Sequence, residues 1–336
     1  MDILPSFDHA QLGLKMALLS DRFDVLVDKH FDAKTTELTI WREIIIDKNI
    51  GPKAKLFVVI DGNFVEFSMP NRPLPNKIRF HYLYIDYIDH SVIEFLHANK
   101  QIWDRIGTNL NFYIEQCAQS IWNAFVPEIW PLFAQNIRHL SFFDGDHLDN
   151  LRRRTSPTIL NDLDQLNSID AGRLLPGGIA DDGQNATAGQ ALSKWLHTPR
   201  KNSQPKRFRL LDPSNLEWVN DFKETFRRAT TSVSYQIQLY FLVDTMPIEP
   251  FELVNERTKE KLTLIVTLEV SKKYNGTVYN LLLQRCPIGE TETAPIKWKN
   301  HENSRTVSAN LNNITFGLWS CKSIGPLSPP AEEEKE

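Results

Sequence analysis

From Asn76 to Leu242 the chain alternates strand-like and helix-like stretches, and this alternation restricts its fold more than any other feature. Ile78 to Ile88 reads as a strand. Ser91 with Glu94 gives a capping box that opens a helix through Val92, Ile93, Leu96 and Trp103, and Asn109 to Ile114 reads as a strand again. Helical stretches near Val126 to Ala134, Ser156 to Leu166, Ala188 to His197 and Leu216 to Arg228 are followed, mostly closely, by strand candidates at Ile137 to Phe143, Lys206 to Leu211 and Val233 to Leu242. Parallel neighbours need a long crossover, usually a helix, so this spacing predicts an α/β fold with a mainly parallel sheet.

A weak internal echo adds detail. Asn76-Lys77-Ile78-Arg79-Phe80, Asn136-Ile137-Arg138-His139-Leu140 and Pro205-Lys206-Arg207-Phe208-Arg209-Leu210 each place basic and apolar residues at the start of a strand. Helix-plus-strand units of about thirty residues are similar to leucine-rich repeats, whose neighbours stack to bury faces that no single unit can bury. No Leu-x-x-Leu-x-Leu-x-x-Asn ladder is present, so a non-repetitive α/β sheet stays open.

Around this centre the pattern differs. Leu38 to Trp41, Leu56 to Ile60 and Phe64 to Phe67 read as strands, with Asp61-Gly62 as a hairpin turn. Pro70 to Pro75 can continue neither a helix nor a central strand and marks an internal boundary. Beyond Pro247 and Pro250 the signals are strands and turns: Phe251 to Val254, Leu262 to Val270, an Asn275-Gly276 turn, Tyr279 to Gln284 and Asn310 to Leu318. The expected organisation is an N-terminal helical segment (1–37), a small β element with a Pro-rich linker (38–75), an α/β repeat-like recognition region (76–246), an antiparallel β cap (247–323) and a disordered acidic tail (324–336).

Ahead of the strands lie two short amphipathic helices. Asp8 and Gln11 form an N-cap pair, Leu12, Met16 and Leu19 share one face, and Phe23, Leu26, Val27 and Phe31 continue the helical period after Ser20. These stripes are too small to form a core alone, so they bury against the rest of the chain or a partner. The pattern Ala10-Gln11-Leu12, Ala17-Leu18-Leu19-Ser20-Asp21-Arg22-Phe23, Leu26-Val27 resembles the second half of an F-box. Phe133 to Leu140, Ala191 to His197 and Pro247 to Val254 extend the resemblance to the expanded nematode F-box proteins. The resemblance implies a non-catalytic substrate receptor that binds an SKP-type adaptor, and through it a cullin, while the rest of the chain selects a protein for ubiquitination. Leu4, Pro5, Phe7, Leu12, Leu14, Met16, Leu19, Phe23, Leu26 and Val27 would then form the adaptor-binding element. The family's Leu-Pro-x-x-x-Leu opening has no counterpart ahead of Ile3, which motivates a second reading: a stand-alone interaction scaffold with a shortened F-box and no ligase role.

Chemistry of other kinds finds little footing. The formal charge is −4, of which the glutamate tail supplies −3, so the body lacks the basic surface that nucleic acid requires. The basic runs Arg152-Arg153-Arg154 and Lys201, Lys206, Arg207, Arg209 read as solvated faces. Cys117, Cys286 and Cys321 show neither zinc-ligand spacing nor a disulfide framework, and read as buried fillers in a reducing compartment, cytoplasmic or nuclear. Sequons at Asn185, Asn275 and Asn313 read as chance, and no apolar run reaches membrane-span length. Asp144-Gly145-Asp146-His147-Leu148-Asp149 lacks EF-hand spacing and reads as a polar turn; Pro176-Gly177-Gly178 and Asp181-Asp182-Gly183 read as loops, not phosphate cradles. No metal, cofactor or catalytic residue is expected, although a hydrolase or nucleotide-binding site assembled in space on the α/β sheet remains a minor alternative. Trp103, Trp122, Trp130, Trp195 and Trp218 sit at apolar helical spacings and read as core.

Overall fold

The computed structural model describes residues 25–27, 29, 39–48, 53–60, 63–70, 72–74, 78–105, 107–114, 119–200, 204–211, 216–242, 248–271, 276–289, 312–318 and 321–327. It is a mixed α/β protein whose strands are parallel in their central blocks. Two compact units divide it, residues 1–137 with 308–336 and residues 138–307.

The first unit holds β1 (Thr39–Asp47), β2 (Lys55–Ile60), β3 (Asn63–Ser68), β4 (Ile78–Ile85), α1 (His90–Ala98), α2 (Lys100–Arg105), β5 (Thr108–Phe112), α3 (Gln119–Ala124) and α4 (Trp130–Phe133), together with β13 (Asn312–Phe316). Its strands lie in the order β5-β13-β4-β1-β2-β3. The first four run parallel, and β2 and β3 add an antiparallel hairpin in which Ile60 pairs with Asn63 across the expected Asp61-Gly62 turn. The Pro-rich segment read as a boundary lies between β3 and β4, and β4 pairs directly with β1.

Three expectations are revised here. Helix α1 is capped by Asp89, not by a Ser91 and Glu94 box: Asp89 Oδ1 accepts from Val92 N at 3.1 Å and from Ser91 Oγ at 2.6 Å, while Oδ2 accepts from Ala54 N at 3.0 Å. One carboxylate thereby satisfies an orphan helix amide and a distant loop amide, which a serine hydroxyl cannot. The helix read over Val126 to Ala134 begins earlier and contains a π-helical turn at Phe125–Ile129, where Pro127 offers no amide hydrogen. The strand expected within an antiparallel C-terminal cap is β13, which instead inserts in parallel between β4 and β5. Its alternate residues Ile314 and Phe316 meet an apolar gap, with Phe316 packed on Phe125 at 4.9 Å between ring centroids. Of the expected tail, Gly325 donates to Ile88 O at 2.8 Å and Pro326 O accepts from His90 N at 2.9 Å; residues 328–336 lie outside the described residues.

The second unit contains β6 (Ile137–Phe142), α5 (Gly145–Arg154), α6 (Ile159–Asp162), β7 (Ser168–Ala171), α7 (Ala188–His197), β8 (Lys206–Leu211), α8 (Trp218–Arg228), β9 (Tyr235–Leu242), β10 (Phe251–Asn255), β11 (Glu260–Ser271) and β12 (Gly276–Pro287). Strands β6, β7, β8 and β9 stand side by side in chain order, all parallel; β6, β8 and β9 are the strands that the alternation predicts, and β7 is an additional one. Beyond β9 the strands β12, β11 and β10 follow in antiparallel pairing. The three echo segments begin at or just ahead of β4, β6 and β8. The helix read over Ser156 to Leu166 shrinks to α6, and strand β7 follows it; the polar residues Asn161, Asp162, Asp164 and Asn167 favour turns over a continued helix.

The five tryptophans singled out above are all buried. Each removes apolar surface worth about 1.5–3 kcal/mol or more. Trp103 stacks on Phe80 and its indole N–H donates to Leu96 O at 3.0 Å; Trp218 and Phe222 of α8 meet edge to face.

Candidate recognition surface

In the second unit the strand register sorts side chains into rows. Leu140, Ile169, Phe208, Ile237, Leu283, Leu264 and Phe251 lie opposite one another across seven strands, an entirely apolar row. The next row along the strands is His139, Ser168, Arg207, Gln236, Gln284, Thr263 and Glu252, entirely polar. Successive residues of a strand face opposite sides, so the unit presents one apolar and one polar face. The helices pack on the apolar side, where the rings of His197 and Phe222 lie 5.5 and 5.9 Å from Tyr235. Crossovers of one hand between consecutive parallel strands place every helix on the same face.

Charge concentrates on the polar face. Arg209 and Asp170 form an ion pair, and His139 Nε2 lies 3.8 Å from Asp170 Oδ2. Burial, reinforced by Arg209, pushes His139 down to about 3, so at neutral pH it is an uncharged ring and not the cation of that contact. Asp170 Oδ1 and the Oε1 atoms of Gln236 and Gln238 are buried acceptors without a donor. Leaving such groups unpaired costs about 1–3 kcal/mol each.

Where β8 and β9 begin and β12 ends, a cleft of about 350 Å³ opens beside the polar row, lined among others by Arg200, Ser234, Gln236, Gln284 and Cys286. Behind it sits a charged cluster. Glu260 Oε2 accepts from Arg285 Nη2 at 2.6 Å and Nε at 3.1 Å, while Oε1 accepts from Ser232 Oγ and Val233 N, both at 2.8 Å. Lys206 Nζ donates to Trp195 O and, at 2.6 Å, to Thr198 O, closing the last turn of α7. Burial, then Arg200, pushes this lysine down to about 7; burial, then Arg285 and Lys206, pushes His197 down to about 3. Tyr235 is pushed up, chiefly by burial.

Two basic residues expected on solvated faces are therefore structural. Lys206 is buried as described, and Arg152 spends its guanidinium on Pro157 O at 3.0 Å, Ala186 O at 2.6 Å, Gly183 O at 2.9 Å and Asp149 at 3.1 Å. Their long stems let these cations reach inward to backbone carbonyls, those of Pro157, Gly183 and Ala186 for Arg152 and those at the end of α7 for Lys206. A second cleft of about 550 Å³ lies around Asp149, Arg153 and Gln184. In the acidic stretch Asp144 is the N-cap of α5, accepting from His147 N at 3.3 Å. Among the described residues no group of three or more His, Cys, Asp or Glu side chains is placed to hold a metal.

The residues expected to bind an adaptor are only partly visible. Leu4, Pro5, Phe7, Leu12, Leu14, Met16, Leu19 and Phe23 lie outside the described residues; Leu26 and Val27 belong to a helical turn, where Leu26 is half-buried and Val27 fully buried. Asp170, Arg200, Gln236, Gln238, Glu260 and Arg285 escaped the reading from sequence. A signal for some of them existed: Tyr235-Gln236-Ile237-Gln238-Leu239 and Lys206-Arg207-Phe208-Arg209-Leu210 alternate polar with apolar, and the polar set needed only the register to align it. Among the described residues no helix is long and apolar enough to cross a membrane. Compared with protein-family models, curated proteins and solved structures, the chain matches none.

Proposed function

We propose that the chain is a non-catalytic substrate receptor of an SKP–cullin–F-box-type ubiquitin ligase, acting in the cytoplasm or nucleus. In this reading the N-terminal amphipathic stripes engage the adaptor and the α/β region presents a target-binding face of leucine-rich-repeat-like character. The observation that carries the reading is the polar row from His139 to Glu252 on the face away from the helices, because an ordered array of donors and acceptors serves protein recognition. The orphaned acceptors on this face, Gln236 in the row and Asp170 and Gln238 next to it, are suited to a partner that brings N–H groups.

The test is binding of the full chain to a purified SKP-type adaptor, against a Leu12→Asp, Leu19→Asp variant checked for retained folding. A desolvated charge at an apolar interface is costly, so binding is expected in the wild type and absent in the variant. No binding by the wild type, or equal binding by the variant, overturns the receptor reading.

The second reading, a stand-alone interaction scaffold with a shortened F-box, draws support from Val27, which is 0% exposed and thus already spent on the chain itself. It predicts that removing residues 1–32 sharply lowers thermal stability, whereas a receptor with a separable docking element keeps a folded remainder.

A further inference from the structure

The cleft of about 350 Å³ at the start of β8 and β9 is unbalanced in both charge and hydrogen bonding. Arg200 Nη1 is buried and meets no acceptor, and burial with no compensating anion pushes this guanidinium down. Among the described residues no aspartate or glutamate lines the cleft, and Glu260 is spent on Arg285. The same cleft is lined by an acceptor in the opposite predicament: Gln236 is 3% exposed and its Oε1 has no donor.

A ligand that completes the cleft must therefore carry an anionic oxygen for Arg200 and an N–H for Gln236. Inorganic anions supply only the first. A polypeptide C-terminus supplies both, since its carboxylate and its last amide N–H flank one Cα atom. The cleft also opens onto the polar row, because Gln236 and Gln284 belong to both, which gives upstream residues of such a chain hydrogen-bonding neighbours.

We propose that this cleft binds the C-terminal carboxylate of a partner polypeptide, with Arg200 holding the carboxylate and Gln236 accepting from the last amide. The proposal rests on the target-recognition reading above, for which it names the part of the target that is read. Charge-assisted bonds to a guanidinium are the strong ones, so the carboxylate is the larger contributor.

The experiment is an array of short peptides of varied sequence, displayed with free C-termini and again with the same C-termini amidated, probed with the full-length chain. Peptides are expected to bind as free acids and to lose about tenfold or more on amidation. Arg200→Gln should lose the same factor. Gln236→Glu, which puts a carboxylate into the cleft that Arg200 lines, should also abolish binding while raising the thermal midpoint, so lost binding in that variant is not lost folding. Arg153→Gln, in the other cleft, should bind as the wild type does. No binding by any free-acid peptide, equal binding of acid and amide, or undiminished binding by Arg200→Gln overturns the proposal. Thermal stabilisation by inorganic phosphate equal to that by N-acetylglycine would also overturn it, by making the cleft a general anion site. Adaptor binding is not involved in any arm, so failure here leaves the receptor reading to its own test, and failure there leaves this one standing.

Discussion

Both units build a block of four parallel strands flanked by antiparallel ones, yet they bury polar groups in opposite ways. In the first unit the buried polar side chains of the block are neutral amides: Asn109 Nδ2 donates to Asn313 Oδ1 at 2.7 Å, Asn313 Nδ2 to His81 O at 2.8 Å, and Asn312 Nδ2 to Ile102 O at 3.2 Å. In the second unit ions join the buried amides Gln236, Gln238 and Gln284: Arg285 pairs with Glu260, Arg209 with Asp170, and Lys206 caps helix-end carbonyls. Amides lock β13 between strands that come from some two hundred residues earlier in the chain; they give geometry at modest desolvation cost. Ions cost far more to bury, and the second unit carries them beside the cleft lined by Arg200 and Gln236. Polar burial thus serves assembly in one unit and, on the reading proposed here, recognition in the other.

The sharpest way to break this comparison is to remove one ion. Glu260→Gln leaves Arg285, 2% exposed, without its counter-charge, and should cost about 3–5 kcal/mol in chemical denaturation. The double variant Glu260→Leu, Arg285→Met should recover a large part of that loss, because the penalty lies in the stranded partner and not in the missing pair. A double variant as unstable as the single would mean that the hydrogen bonds to Ser232 and Val233 matter more than the charge.

Acid titration should separate the units by sign. His139 and His197 are pushed down to about 3 in the folded chain, against an ordinary value near 6.5. Between those values the unfolded chain binds more protons, so stability of the second unit falls as the pH drops from 6.5 toward 3, by on the order of 2 kcal/mol for each histidine. Asp86 goes the other way. Burial, then Asp47, pushes it up to about 6 from 3.8, so the folded chain holds the extra proton and the first unit loses stability as the pH rises through that window. This half-buried carboxyl is worth about 1 kcal/mol after screening by solvent. Hydrogen exchange followed by residue across pH 3.5 to 7 should show protection rising with pH in β8 and β9 and falling in β1 and β4. Asp86→Asn should flatten the second trend alone.

How much of this was legible beforehand depends on the distance over which the relevant interactions act. Strands β6, β8 and β9 followed from local alternation, whereas β7 did not, because Ser168-Ile169-Asp170-Ala171 is too short to carry a strand signal of its own. The place of β13 did not follow, because Asn312-Asn313-Ile314-Thr315-Phe316 carries a strand signal but nothing local that names β4 and β5 as neighbours. The Asp89 cap was missed for a related reason: the residue sits one turn ahead of a plausible serine box, and its second bond goes to Ala54, thirty-five positions away. Lys206 and Arg152 looked solvated because cation runs usually are; the carbonyls that draw them inward belong to loops whose course is tertiary. The polar residues of the row were visible as alternation, but their grouping required the register of six strand pairings. The residues ahead of Val25 that were expected to bind an adaptor, read from amphipathic stripes and from a resemblance, lie outside the described residues.

The smallest expected effect tests the cheaper half of the comparison. Asn313 joins β13 to both its neighbours through its side chain, accepting from Asn109 and donating to His81 O. Asn313→Ala leaves the Asn109 amide without its acceptor and the His81 carbonyl without that donor, a loss of about 1–3 kcal/mol for neutral groups. Asn109→Ala, Asn313→Ala together should cost less than the sum of the single variants, because each alone strands the other. Denaturation midpoints of the three variants, compared with Glu260→Gln under the same conditions, check the ranking. If the single amide variant costs as much as the loss of Glu260, burial of neutral amides is no gentler than burial of ions in this fold, and the two units differ in what their polar groups are without differing in what those groups cost.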